Sequence, residues 1–235
     1  MSKLITLVNL CRVTYQYIRI SFLNKEEDKF SYIYKNRCWD DNSKGDISLS
    51  GSGSSIAASR NLSRELSVFI SKNNIASILD VPCGDWKWMS KLNLDKVSYV
   101  GGDIVQEIIN DNNKKYSLKN ISFVKLNLMD DNLVPSDLII VRDLFVHLKN
   151  DDIYKCLTNI NNHDFKYIGL THYPSTLENN EPKFGDRWRA LNLLIKPFEL
   201  NKPDFILSDN SEDDSIDEDR TLAIWKKESF TKNLL

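Results

Sequence analysis

The chain has 235 residues, of which 41% are hydrophobic and 27% are charged, and its formal net charge is −2. This length supports one substantial hydrophobic core and a small appendage. The near-neutral charge disfavours a protein that binds nucleic acid non-specifically, because such binding needs a basic surface. The four cysteines are scattered without a C-x-x-C pair, so we expect reduced thiols in a cytoplasmic protein, no disulfide framework and no metal site.

The first 62 residues are predicted to form a separate N-terminal segment. Residues 1–35 have an aromatic-rich helical pattern, and a polar stretch follows that ends in Gly-Ser-Gly-Ser-Ser at 51–55. The apolar run at 4–10 is too short and too interrupted to span a membrane, and no cleavage site follows it. We therefore predict a helix packed on the core or on a partner, with shallow membrane contact as the alternative, and then a Gly/Ser lid loop.

Residues 63–235 are predicted to form the main domain, because apolar strands and amphipathic helices alternate from there on. The pattern predicts helices at 57–72, 104–116 and 150–161, and strands at 77–81, 97–101, 121–126, 137–141, 166–171, 205–208 and 221–225. This alternation favours an α/β fold, a three-layer sandwich around a Rossmann-like, seven-stranded and mostly parallel sheet. The acid-rich stretch at 209–220 is predicted to be a solvated loop.

The first two predicted strands each end in an acid, Asp80 and Asp103. The interval between the two acids leaves room for a turn, a helix and a strand. In doubly wound sheets, an acid at the end of the second strand can reach ribose hydroxyls. We therefore predict a crevice for an adenosine-type cofactor at this edge of the sheet.

The turn after the first strand argues against a dinucleotide. A pyrophosphate needs the glycines of G-x-G-x-x-G, but here Gly84 stands alone, and Trp86 takes the place of the last glycine. The carboxylates of Asp80 and Asp85 would repel a diphosphate and suit a cofactor that carries an ammonium group. A nicotinamide-dependent oxidoreductase on a similar sheet therefore remains only the alternative.

These motifs resemble the class I S-adenosylmethionine-dependent methyltransferases. Residues 80–85 (Asp-Val-Pro-Cys-Gly-Asp) look like a variant of that family's first motif, and Asp103 matches its ribose-binding acid. The longer pattern Asp-x-Pro-Cys-Gly-Asp-x-x-Trp-Met resembles a bacterial subgroup often linked to the modification of surface polysaccharides. The resemblance continues through residues 188–193 to about Trp225. It implies that the last two strands form an antiparallel edge.

The resemblance implies a cofactor site for S-adenosylmethionine. Asp103 would bind the ribose, Asp85 the amino group, and the amide of Asn127 the adenine, while Gly84 would let the backbone approach the methionine part. Asp85 has an alternative role as a helix N-cap. The complete set of expected cofactor residues is Arg60, Asp80, Pro82, Gly84, Asp85, Asp103, Ile104, Asn127, Leu128 and Arg142.

Three side chains at the ends of the fourth and fifth predicted strands are candidates for the general base that a hydroxyl acceptor needs. Asp143 and His147 are four residues apart, so they share a face of any helical turn. His172 ends the fifth strand and is the third candidate. For His147, the alternative is a packed side chain without a catalytic role.

The expected acceptor is a small polar molecule, and the predicted substrate-binding residues are Trp39, Tyr173, Arg187, Trp188 and Arg189. The two arginines could hold a phosphate or carboxylate, and Trp188 could stack on a sugar. The alternative for this stretch is a surface Arg–Asp pair beside a core tryptophan.

By resemblance, the acceptor is a sugar, a sugar phosphate or another phosphate-containing precursor of a surface polysaccharide, such as a phosphoramidate, which is O-methylated. A non-catalytic module that binds S-adenosylmethionine is a further alternative. We expect a monomer or a homodimer that binds no nucleic acid.

Overall fold

A computed structural model of the chain describes residues 14–16, 18–39, 48–181, 188–210 and 219–230. A seven-stranded sheet forms the centre of this structure, with the strand order β3-β2-β1-β4-β5-β7-β6. The strands are β1 (Ser77–Asp80), β2 (Ser98–Asp103), β3 (Ile121–Lys125), β4 (Ser136–Val141), β5 (Phe165–His172), β6 (Phe205–Ser208) and β7 (Thr221–Lys226). The predicted α/β fold with its seven-stranded sheet is confirmed.

The first five strands are parallel, and β7 pairs antiparallel with both β5 and β6. The antiparallel edge that the resemblance implied is therefore present. Leu138–Val141 of β4 are completely or almost completely buried, because helices cover both faces of the sheet. This explains why that strand is a continuous apolar run rather than an alternating one.

Helices cover the sheet on two sides and make the sandwich three-layered. From residue 26 onward, the α-helices of the described residues are α1 (Glu26–Lys35), α2 (Arg60–Lys72), α3 (Gln106–Tyr116), α4 (Asn150–Asn161) and α5 (Lys227–Phe230). Leu62 and Leu66 of α2 pack in one apolar cluster with Ile140, while Ile153 of α4 packs in a second cluster with Ile139. Successive residues of β4 thus face opposite layers. Truncating one of these leucines to alanine should cost about 2–5 kcal/mol.

The crossover from β1 to β2 departs from the prediction. We expected room for a helix, but in the described stretch 81–97 the only helical turn is a short 3₁₀ turn at Met89–Lys91. The bulky side chains of Trp86, Trp88 and Met89 are buried there. These three side chains pack in the space that a helix would otherwise occupy.

The N-terminal part of the chain lies partly outside the described residues, as does the predicted apolar run at 4–10. Residues 14–16 and 18–21 are helical. Helix α2 runs without interruption across residues 62 and 63, where we predicted the boundary between two domains. The division into two domains stays a prediction. Within the described residues, no helix is both long and apolar enough to cross a membrane.

Candidate functional site

A cleft opens at the carboxyl ends of β1, β2 and β4. It encloses roughly 900 Å³ when its open mouth is counted. From β1 the chain proceeds to β2 and β3 on one side, and then returns to β4 on the other side. Ligands of open α/β sheets bind at such reversals of strand order. The predicted cofactor residues that line the cleft are Asp80, Pro82, Gly84, Asp85, Asp103, Ile104, Asn127, Leu128 and Arg142.

Two buried carboxylates face this cleft from neighbouring strands. The Asp80 carboxylate accepts a 2.6 Å hydrogen bond from the Tyr99 hydroxyl, and Asp103 accepts bonds from the backbone N–H groups of Gly84 and Val105 at 3.2 and 2.9 Å. Burial raises the pKa of Asp80 to about 7 and that of Asp103 to about 6. A ligand that donates hydrogen bonds or carries positive charge would stabilise the ionised form of both acids.

The lining near Asp103 is mostly apolar and comes from the ends of two strands. Ile104 follows β2, and Leu128 and Met129 follow β3. The side chain of Asn127 is held in a turn, since its Oδ1 accepts a 3.1 Å bond from the Met129 N–H. A carbonyl oxygen has two lone pairs, so the expected bond to an adenine amino group would use the second one.

The Asp85 carboxylate is engaged with the N-terminal segment. It accepts hydrogen bonds from the Ser48 hydroxyl at 2.9 Å and from the Leu49 N–H at 2.8 Å. A β-carbon at Gly84 would lie 2.2 Å from Ser50 Oγ, so the close backbone approach that this glycine allows is to Ser50. The N-cap alternative for Asp85 is wrong, because no α-helix follows it in the described stretch 81–97.

Arg142 lies at the centre of a buried charge cluster. Its guanidinium donates to both oxygens of Asp209 at 2.8 Å and to the carbonyl oxygen of Gly53 at 2.8 Å, and it lies 3.2 Å from Asp143. The Arg220 side chain donates to the backbone oxygen of Asp209 at 2.9 Å. The prediction of a solvated loop is therefore wrong at both of its described ends, since Asp209 and Arg220 are buried to satisfy these partners.

Asp143 follows this arginine in an unusual backbone conformation, with φ of +55°. Its N–H donates to Thr171 Oγ1 at 2.8 Å, which fixes the turn. Burial opposes ionisation, but the charges of Arg142 and Arg220 outweigh it and hold the pKa of Asp143 below its usual value. Asp143 is thus a weak base that stays ionised.

His147 belongs to an aromatic group that lines the cleft. Its ring stacks on Trp39, with centroids 5.1 Å apart and planes 28° apart, and meets the Phe30 ring edge-on at 6.5 Å. Tyr34 contacts the same indole at 5.7 Å. All four rings line the cleft, and the charge of His147 contributes to the low pKa of Asp143. The structure therefore brings together His147, Asp143 and Trp39.

Two of the predicted residues near the end of β5 do not reach the cleft. His172 is 1% exposed, and its Nδ1 accepts a 3.2 Å bond from the Leu193 N–H. Burial lowers the pKa of His172 to about 4. Tyr173 is equally buried and packs edge-on against Trp188 at 5.6 Å. His172, Tyr173 and Trp188 are not among the described residues that line the cleft. The predicted base His172 therefore lies outside the cleft.

The predicted arginines are also placed elsewhere. Arg60 is exposed at the start of α2, outside the described lining. Arg189 donates to the Leu148 carbonyl and to Asn150 Oδ1, both at 2.8 Å, and it connects two loops instead of facing the cleft. Burial lowers its pKa. Arg187 lies outside the described residues.

Several lining residues were missed by the sequence analysis. Phe30 and Tyr34 come from α1, Ser50 from the loop after it, and Trp88 lies under the Arg142 guanidinium at 5.1 Å. Ser54 also lines the cleft, and it belongs to the predicted Gly/Ser loop. The four-residue spacing of Phe30 and Tyr34 marks one helical face, but the sequence does not show what that face covers. In the part of the chain that is described, no cluster of acids, histidines and cysteines could hold a metal ion.

Comparison with known proteins gives a likeness of structure only. No protein-family model matches the sequence, and no curated protein does so either. Among solved structures, the N-methyltransferase NodS from Bradyrhizobium japonicum WM9 is similar, with a TM-score of 0.54 and 14% identity over 72% of this chain and 96% of that one. NodS in complex with S-adenosyl-L-homocysteine gives a TM-score of 0.53 at 14% identity over 72% and 87% of the two chains. The chain therefore has the fold of these methyltransferases.

Proposed function

We propose that this protein is a cytoplasmic S-adenosylmethionine-dependent methyltransferase that acts on a small polar acceptor. The observation that carries the proposal is the pair of buried carboxylates, Asp80 and Asp103, which line one cleft at the reversal of strand order. A crevice built this way attracts a cationic nucleoside and repels a diphosphate. The fold shared with known methyltransferases supports the same proposal.

The residues of the cleft fit this cofactor chemically. The Asp103 carboxylate accepts from backbone N–H groups, and its four lone pairs leave room for ribose hydroxyls. Ile104 and Leu128 offer apolar faces to a purine, and Asn127 offers an amide at its edge. When bound, S-adenosylmethionine supplies a methyl group that its sulfonium charge already activates. The chain's own task is then to orient the acceptor, exclude water and accept a proton.

His147 is the proposed proton acceptor for a hydroxyl substrate. It lies at the exit of β4 beside the cleft, and the ionised Asp143 nearby favours a positive charge on it. The low pKa of Asp143 makes that carboxylate the poorer base, so we assign it an electrostatic role. The stacked Trp39 ring fixes the imidazole.

Among the acceptors that the resemblance implies, a sugar hydroxyl fits the described lining best. Trp39, Phe30 and Tyr34 provide aromatic faces for the C–H side of a sugar ring. The guanidinium of Arg142 is already paired with Asp209 and lies beside Asp143, and Arg189 bonds to loop oxygens. A phosphate group would therefore need a cation from outside the described lining. The link to a surface polysaccharide is supported by the sequence resemblance alone.

Calorimetric titration with S-adenosylhomocysteine tests this proposal. We expect micromolar affinity, on the order of −8 kcal/mol, and a large loss of affinity in Asp103→Ala. Asp111→Ala removes an exposed acid on α3 and serves as the matched control, with unchanged affinity expected. Absence of binding heat, together with thermal protection by NAD, would favour the oxidoreductase and reject the methyltransferase.

A further inference from the structure

The loop at residues 48–50 is bonded directly to the turn that follows β1. The Asp85 carboxylate accepts hydrogen bonds from the Ser48 hydroxyl and the Leu49 N–H, and the Asp85 N–H donates to Ser50 Oγ at 3.0 Å. Ser50 Oγ also lies 3.1 Å from the Tyr34 hydroxyl. Ser48 is 1% exposed, so this contact is well shielded from solvent.

The same segment is attached a second time, at the end of the neighbouring strand β4. Arg142 donates to the Gly53 carbonyl at 2.8 Å, and its guanidinium lies 3.4 Å from Ser54 Oγ. A β-carbon on Gly53 would come within 2.7 Å of the Arg220 guanidinium, so the backbone lies against the charge cluster. Residues 48–54 therefore cross the carboxyl edge of the sheet from β1 to β4.

This path runs over the reversal of strand order, where the cleft lies. Ser50, Ser54, Tyr34 and Trp39 line the cleft together with Asp80 and Asp103 at the strand ends. Because Ser50 also bonds to the turn, separation of residues 48–50 from the turn would remove part of the cleft lining and ease the release of a nucleoside.

We infer that Asp85 is a positioning residue, not a ligand of the cofactor's amino group: it fastens residues 48–50 over the cleft, and loss of this fastening sets the rate at which a nucleoside ligand leaves. The inference rests on the proposed function for the identity of that ligand. The fastening itself uses a carboxylate that accepts from two donors at 2.9 and 2.8 Å, and hydrogen bonds to carboxylates are among the stronger kinds in proteins.

Stopped-flow dissociation of S-adenosylhomocysteine tests the inference with Asp85→Asn, Ser48→Ala and the double variant. Each single variant should release the ligand about ten-fold faster, which matches the loss of one charge-assisted bond. Because both act through one contact, the double variant should be no faster than the quicker single variant. Unchanged dissociation in the folded single variants, or additive effects in the double variant, would overturn the inference.

Controls separate this inference from the proposed function. Asp111→Asn and Ser67→Ala are matched exposed substitutions on α3 and α2 and should leave dissociation unchanged. Hydrogen exchange in the ligand-free protein gives a readout that needs no cofactor. Amides of residues 48–54 should exchange faster in Asp85→Asn and Ser48→Ala, while those of β4 should not. If the wild-type protein binds no S-adenosylhomocysteine, the proposed function fails, and the exchange result alone decides whether Asp85 fastens the segment.

Discussion

The indole of Trp39 stacks on the imidazole of His147, with ring centroids 5.1 Å apart. Trp39 follows α1, whereas His147 lies in the turn after β4, so the contact joins the N-terminal segment to the carboxyl edge of the sheet. An aromatic ring face also favours a positive charge on the group that it covers. The stack therefore holds the proposed base in place and supports its protonated form.

Replacing either ring should affect turnover more than cofactor binding. His147→Gln keeps much of the side-chain size but removes the base, and kcat should fall by about 10²–10⁴. Trp39→Phe should retain more activity than Trp39→Ala, because it preserves a stacking surface. Steady-state kinetics on an acceptor found by screening sugar derivatives would measure both effects. An equal loss of S-adenosylhomocysteine affinity in His147→Gln would instead place this residue in the cofactor site.

Asp103→Asn should stabilise the ligand-free protein at pH 8 while it weakens cofactor binding. Burial raises the pKa of Asp103 to about 6 from 3.8, so the folded state retains a proton that the unfolded state has lost. The resulting stability is complete below pH 3.8 and disappears as the pH rises through 6. At pH 8 the buried ionised carboxylate lowers the free energy of unfolding by up to about 3 kcal/mol. The substitution removes this loss, but the altered hydrogen bond takes back about 1 kcal/mol. Urea unfolding at pH 4 and pH 8 should show the gain only at pH 8.

Cofactor affinity should fall in mild acid. Ribose hydroxyls donate to a carboxylate, so binding favours the ionised form of Asp103, and at pH 5 only about one tenth of this group is ionised in the free protein. The dissociation constant of S-adenosylhomocysteine should therefore be about ten-fold larger at pH 5 than at pH 8. Calorimetry near pH 6 in two buffers with different ionisation enthalpies should reveal proton release. A flat pH profile would contradict the ribose assignment.

His172→Asn should remove part of the acid sensitivity of the fold. Burial lowers the pKa of His172 to about 4 from 6.5, so the unfolded chain binds a proton that the folded chain excludes. The associated stability is complete above pH 6.5 and is lost as the pH falls to 4, a difference of roughly 3 kcal/mol. The amide oxygen of asparagine can still accept from Leu193. Chemical unfolding should show that the stability difference between variant and wild type depends on pH in this window and is constant above it.

Arg142→Met should be strongly destabilising, because it leaves Asp209 buried without its main cation. Removing one partner of a buried pair costs about 3–5 kcal/mol. Lys155→Met breaks an exposed pair with Asp152 and should change the free energy of unfolding far less, because solvent screens that pair, which makes it the matched control. Denaturant titration of both variants at pH 7 measures the difference. Similar values for the two would mean that the buried cluster adds nothing to stability.

The sequence predicted the sheet well because its strands are apolar runs bounded by turns, and such runs are visible in the hydrophobic pattern. It also predicted that Asp80, Asp103 and His147 would face one cleft, since residues at the carboxyl ends of parallel strands meet at one edge. The pairing of Arg142 with Asp209 could not be predicted, because it joins segments far apart in the chain. The same holds for Asp85, whose partners come from a loop with no periodic pattern.

In the turn Gly84-Asp85-Trp86, three consecutive residues contact three different neighbours. Gly84 makes room for Ser50, Asp85 bonds to Ser48, and Trp86, with φ of +55°, turns its indole into the core against Tyr99. In a chain without the N-terminal segment, only the contact between Trp86 and Tyr99 would persist. During evolution, such a chain should be free to change the first two positions while an aromatic residue stays at the third. The first motif and the N-terminal segment are therefore expected to diverge together.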